Sequence, residues 1–312
     1  MNYIDFVHPA DAAALRQLEN LPAFPMLTKK AMEYGLEMIQ RINNLSYCIK
    51  LTENQMPEIY SRLVSVCGKM GMPVPELYMD TTDVLNAYTT GDTRPCIVLT
   101  EKLMNEFTGE EIEAVIAHEC GHILCHHVLY STLADFLLMG TDELVNSLGV
   151  FGTLSSTAII PLKFAMMAWS RASELSADRA ASVAASPQVL IRVMALLQYP
   201  KRIVDRMNLE QWASQAQELE QLQQGSKWND FLQKFNRLED SHPYNVVRAY
   251  EISKWIASDQ YRKIMNHLKL LELSDRCPSC GQPVLPDWAF CKNCGPKLSN
   301  KISCQHLLQQ KH

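Results

Sequence analysis

The chain has no excess of positive charge, no basic leader and no uninterrupted apolar run, and each absence removes a class of function. A net charge of -5 and a pI near 6.0 leave no electrostatic footprint for nucleic acid across the whole chain. Residues 1–9 lack a basic stretch followed by an apolar one, and Asp5, Asp11 and Arg16 interrupt any would-be signal sequence. Export by the ordinary route is therefore not expected. The least polar stretch, residues 144–162, carries no charge and approaches the ~20 apolar residues of a spanning helix. Asn146, Ser147, Thr153, Ser155, Ser156 and Thr157 lie inside it, Gly149 and Gly152 loosen it, and Pro161 ends it. A buried helical hairpin or lid is the simpler reading, and peripheral membrane attachment stays open.

A disulfide framework is missing too. Of ten cysteines, Cys277, Cys280, Cys291 and Cys294 form a tight paired cluster, while the other six are scattered singly. Such usage fits a reducing compartment, so the chain reads as cytoplasmic. At 312 residues, with 47% apolar and 20% charged residues, it can bury one sizeable core with a small appendage, or form two domains.

Helical apolar spacing runs over residues 9–47, for example at Met32, Leu36, Ile39, Ile42 and Leu45, broken by Pro22 and Pro25. A further helix is predicted from Pro57 to Met70, stopped by Gly71-Met72-Pro73-Val74-Pro75. The period then changes, and residues 76–82, 85–90 and 96–100 read as short strands of a small sheet. Thr108 with Glu111 makes a capping box for a long helix, and another helix carries Trp169 to Ala185. Residues 188–272 read as helices with a polar, Gln-rich solvated face, and helical periodicity ends near Ser274. The expected fold is α+β and mainly helical. It comprises an N-terminal helical region (1–56), a main domain (57–272) and a cysteine-rich module (275–300).

The long helix carries the chemistry. His118-Glu119-Cys120-Gly121-His122 places two imidazoles four residues apart, on one face and one turn apart. They can meet one metal ion at the Zn–N distance of about 2 Å. Glu119, rotated by about 100°, faces a water where a general base must sit. Gly121 lets another segment pack close behind. A metzincin would need a histidine at Val128 and a glycine at Cys125, which excludes that class. The gluzincin alternative needs a glutamate on a second helix, and Glu174, with Asp178 one turn later, supplies it. Asp178 would accept the outer N–H of His118 and fix its tautomer. Cys120 and Cys125 bring thiols close to the metal, a potential sensitivity to oxidation. His126 and His127 follow, and His126 reads as a packed or solvated neighbour.

His118-Glu-Cys-Gly-His122, Glu174-Leu-Ser-Ala-Asp178 and His242-Pro243 followed by Arg248 together resemble the HtpX-type zinc endopeptidases, the gluzincin family that includes the CAAX prenyl proteases. The resemblance runs from about Pro57 to Trp255. It implies a zinc metalloendopeptidase with a helical body and a small sheet whose edge strand binds substrate; here that strand would be Asn86, Ala87 and Tyr88. It further implies that His242 hydrogen-bonds the oxyanion, with Arg248 in support. The membrane-spanning members carry N-terminal spanning helices, so this chain is expected to be a soluble branch.

Cys277-Pro-Ser-Cys280-Gly and Cys291-Lys-Asn-Cys294-Gly form two knuckles that would close a structural zinc site of four thiolates. So short a module cannot bury a core, and the metal would supply its folding energy. Arg276, Lys292, Lys297 and Lys301 exceed Asp275 and Asp287 by two charges, which the thiolate–zinc centre returns. A protein contact or substrate recruitment is favoured over nucleic acid. The expectation is thus one catalytic and one structural Zn²⁺, with protein or peptide substrates. The rival is an inactive scaffold serving as a zinc-ribbon adaptor, against which the intact Glu119 argues.

Overall fold

The computed structural model describes residues 3–21, 24–25, 28, 35–139, 156–223 and 244–272, then 275–277, 279–280, 283–284, 290 and 295. The chain divides into two compact units, Met1–Ile256 and Ala257–His312. The first contains α1 (Pro9–Glu19), α2 (Leu36–Tyr47), β1 (Ile49–Leu51), α3 (Pro57–Met70), β2 (Glu76–Asp80), β3 (Ala87–Thr90) and β4 (Cys96–Thr100). It continues with α4 (Gly109–Leu124), α5 (Val128–Met139), α6 (Ser156–Ala184), α7 (Pro187–Leu196), α8 (Leu209–Gln223) and α9 (Asn245–Ile256). The second holds α10 (Asp259–Glu272) and the strands β5 (Asp275–Arg276) and β6 (Pro283–Val284), paired antiparallel. The architecture is α+β and mainly helical, as the sequence predicts.

The sheet runs β1-β2-β4-β3, with β4 parallel to β2 and antiparallel to β3. All five residues of β4 are buried, as its continuous apolar run requires of a central strand. β3 takes an edge. β1 was not expected, since Ile49-Lys50-Leu51 is too short to display a period; it pairs antiparallel with β2.

Helices α4 and α6 cross at the centre of the first unit. Small buried residues on α6 (Ala177, Ala180, Ala181 and Ala184) permit the approach. At Gly121 the contact is so close that a Cβ would lie 2.6 Å from the Ala177 carbonyl oxygen. The capping box at the start of α4 is formed: Thr108 Oγ1 accepts from the Glu111 amide, and Glu111 Oε2 accepts from the Thr108 amide. α6 begins at Ser156, well before the expected Trp169, and runs through Pro161. The proline lies in its second turn, where it forfeits one hydrogen bond near the helix end.

Helix α1 packs along α6, and Leu18 and Phe24 share a core with Leu133, Met166 and Trp169. The segment 1–56 therefore belongs to the same compact unit as the expected main domain, while α10 falls in the second unit, not the first. Ile39, Ile42 and Leu45 on α2 are exposed, so the apolar stripe there is not a core face. Residues 144–155 of the least polar stretch lie outside the described residues. Among the described residues no helix is long and apolar enough to cross a membrane.

Candidate metal centre

His118 and His122 project from α4 toward Glu174 on α6. His118 Nε2 lies 3.2 Å from His122 Nε2 and 3.3 Å from Glu174 Oε2, and His122 Nε2 lies 3.5 Å from Glu174 Oε1. A tetrahedral zinc with bonds near 2.0–2.1 Å separates its ligand atoms by about 3.3 Å. The two histidines approach different oxygens of Glu174, and one ligand atom from each of the three residues lies within 4.8 Å of the others, a donor set that suits zinc. The glycine contact at Gly121 is what brings the two helices near enough for this triangle.

The surroundings favour positive charge. Glu119, Glu174 and Asp178 are all buried, and Arg248 opposes them, leaving two formal negative charges for a divalent cation. His118 Nδ1 donates to Asp178 Oδ1 at 2.9 Å. Burial and the Arg248 charge disfavour a proton on His118, yet Asp178 and Glu174 outweigh them and push its pKa up to about 10. Burial alone would raise Asp178, but Arg248 holds its carboxyl below the usual range. Arg248 grips Asp178 with two hydrogen bonds, Nε to Oδ2 at 2.8 Å and Nη2 to Oδ1 at 2.7 Å, and pairs Nη1 with Glu174 Oε2 at 3.0 Å. It therefore orients both carboxylates of α6 at once.

Glu119 lies beside the triangle, and a strand holds it. Thr89 on β3 donates from Oγ1 to Glu119 Oε2 at 2.6 Å. Thr89 falls in the strand predicted over residues 85–90, but its partner is not legible in the sequence because the contact spans 30 positions. A cleft of about 360 Å³ opens over these groups, lined by Asn86, Ala87, Tyr88, Leu103, Val193 and Met194 among others. The Asn86 carbonyl accepts from Thr100. Alternation along β3 turns Thr89 to the site and packs Tyr88 against Tyr78, Cys96 and Val98.

Cys120 and Cys125 are buried. A hydrogen bond with Cys67 and burial push the Cys120 thiol well up, and burial pushes Cys125 up to about 12. His126 is exposed and meets the ring of Tyr3 edge-on at 5.0 Å, the solvated neighbour of the two alternatives. In the second unit Cys277 is buried and Cys280 half-buried, beside the β5–β6 pair. His242, Cys291 and Cys294 lie outside the described residues.

Two imidazoles one turn apart and a glutamate from a second helix, with a further carboxylate beside them, form a group that could hold a metal ion, the arrangement a metallopeptidase centre requires. The chain belongs to peptidase family M48, whose sequence profile matches residues 50–256, and a zinc-ribbon domain matches residues 276–298. Similar proteins include a chloroplastic plastoglobule-localized metallopeptidase 48 of Arabidopsis thaliana, 29% identical over 265 residues, 84% of this chain and 75% of the relative. A protease HtpX homologue of Ralstonia pickettii is 28% identical over 172 residues, 49% of this chain and 59% of its own length. Another from Methanocaldococcus jannaschii is 26% identical over 215 residues, 62% and 72% of the two chains.

Proposed function

We propose that the protein is a zinc metalloendopeptidase that cleaves peptide bonds in protein substrates, with Glu119 as general base. The observation that carries this reading is the 3.2, 3.3 and 3.5 Å triangle of His118, His122 and Glu174 with Glu119 fixed beside it. Zinc held there supplies a Lewis acid that polarises a carbonyl and makes a water acidic near neutral pH. Glu119 takes the proton from the attacking water and returns it to the leaving amine. Thr89 keeps the Glu119 carboxylate aimed into the cleft. An extended substrate pairs with the edge of β3 at Asn86, Ala87 and Tyr88, its main chain adding to the sheet. His242 donates to the developing oxyanion, a role resting on the resemblance, and Arg248 serves by holding Glu174 and Asp178. Hydrolysis of an unstructured protein such as casein should stop on chelation and return with one added equivalent of Zn²⁺ beyond the ribbon's. Activity indifferent to chelation would rule the reading out.

For the second unit the proposal is a structural zinc held by Cys277, Cys280, Cys291 and Cys294, in a module that contacts a protein partner or recruits substrate. For location it is a cytoplasmic protein with peripheral membrane contact. The exposed Ile39, Ile42 and Leu45 favour the membrane contact, as does the plastoglobule named for one relative. Vesicle flotation of the wild type, lost in an Ile42→Glu/Leu45→Glu variant, would support it. Equal flotation of both, or of neither, would refute it.

A further inference from the structure

Each zinc-ligating histidine must present a lone pair at one ring nitrogen, so its other nitrogen needs an acceptor. For His118 that acceptor is Asp178. His122 has a different arrangement. Its Nδ1 lies 3.1 Å from Nδ1 of His127, whose Nε2 lies 3.0 Å from Oδ2 of Asp11 on α1. Asp11 and His127 are each 3% exposed.

The end of α4 creates this contact. The amide of His127 reaches back to the His122 carbonyl at 2.9 Å, and that of His126 to Ile123 at 3.1 Å, with His126 in the left-handed region at φ 60°. This is the Schellman pattern, which folds the residue two past the cap onto the last full turn. Usually an apolar pair meets there. In this chain the pair is His127 and His122.

The direction of the protons follows from the ends of the chain of groups. An Asp11 carboxylate only accepts, so His127 Nε2–H donates to it and leaves Nδ1 of the neutral ring as an acceptor. His122 must then donate from Nδ1, and its Nε2 is left bare, facing His118 and Glu174. Asp11 is itself fixed. Ser176 Oγ, which accepts from the His8 amide at 2.9 Å, donates to Asp11 Oδ2 at 2.6 Å. The Trp169 ring lies edge-on to His127 at 5.8 Å and closes one side.

We propose that Asp11, acting through His127, is the positioning group for the zinc ligand His122, so that helix α1 completes the metal centre. Asp11 lies upstream of the family match, which begins at residue 50. The proposal rests on the reading of His118, His122 and Glu174 as a zinc site. It assigns to the N-terminal segment a part in metal binding that neither the match nor the sequence motifs contain.

The test is zinc competition with a chromophoric chelator on the full chain, following the phase that Glu174→Ala abolishes. If Glu174→Ala abolishes no phase, the zinc-site reading itself fails. Given that phase, His127→Phe, which fills the space without an acceptor, should weaken zinc on the order of 10–100-fold. His127→Asn, whose amide oxygen falls near the lost Nδ1, should restore most of the affinity. Asp11→Ala should weaken binding too, and the Asp11→Ala/His127→Phe double variant should be no worse than His127→Phe alone. A merely structural role would give neither the rescue nor the non-additivity. Should His127→Phe not fold, Asp11→Ala against Asp11→Asn carries the test, since asparagine keeps one acceptor oxygen for His127 and should retain more zinc. Unchanged affinity in these variants, or losses that add, would overturn the proposal.

Discussion

Glu119 is held by a threonine and stands apart from the ligand triangle, and that separation has a measurable consequence. Glu119→Gln should abolish peptide hydrolysis and leave the zinc content unchanged, because the amide cannot accept the water's proton yet disturbs no ligand. Metal analysis beside a peptide assay checks both halves. Thr89→Val tests the support behind the proposed base. It deletes the 2.6 Å bond to Oε2 and should lower kcat roughly tenfold, about 1.4 kcal/mol of barrier, with zinc retained. An unchanged kcat would mean that Glu119 is aimed by its helix alone. At this scale the sequence was legible where chemistry is periodic: His118, Glu119 and His122 share one helix, and Glu174 and Asp178 repeat the four-residue spacing on another. Thr89 and Asp11 were not, because contacts across tens of residues leave no local period. The one available signal was the His-His pair directly after the motif.

Between elements, the site depends on how closely α4 and α6 cross. Gly121 was readable as a close-packing position, and the structure gives its counterpart as the Ala177 backbone. Gly121→Ala forces a Cβ toward that carbonyl, and backbone gives way less easily than a side-chain tip. The expected cost is about 1–3 kcal/mol, as for other overpacked cores, which lowers Tm by several degrees. Because the two helices carry His118, His122 and Glu174 between them, zinc affinity should fall along with Tm. A drop in Tm with unchanged zinc affinity would mean that the crossing can shift without opening the triangle. The capping box, the β4 run and the helical stretches were visible beforehand, since each is a local pattern of caps and periods. The register of β3 was not, nor was the passage of α6 through Pro161, where packing along α1 and α4 outweighs one lost hydrogen bond.

For the whole molecule, the two proposed zinc sites fall in different compact units and should be separable. The four cysteines of the second unit would enclose their ion in thiolates and release it slowly, whereas the three-ligand centre of the first is open to the cleft. Full-length protein should therefore carry two zinc ions, and mild chelation should remove the catalytic one first, with activity falling in step. A chain ending at Ile256 keeps every element that surrounds His118, His122 and Glu174, including α1 and α9, and should bind one zinc. It should still hydrolyse a short unstructured peptide, while cleavage of a folded protein substrate should decline if the ribbon recruits it. The adaptor alternative expects no peptide hydrolysis from either chain. The position of the cut matters physically. α10 belongs to the second unit, so ending the chain just before the cysteines would strand its apolar side, and such a truncation should be less soluble than one at Ile256. One zinc in the intact protein, or an Ile256 truncation that binds none, would show that the two sites are not independent.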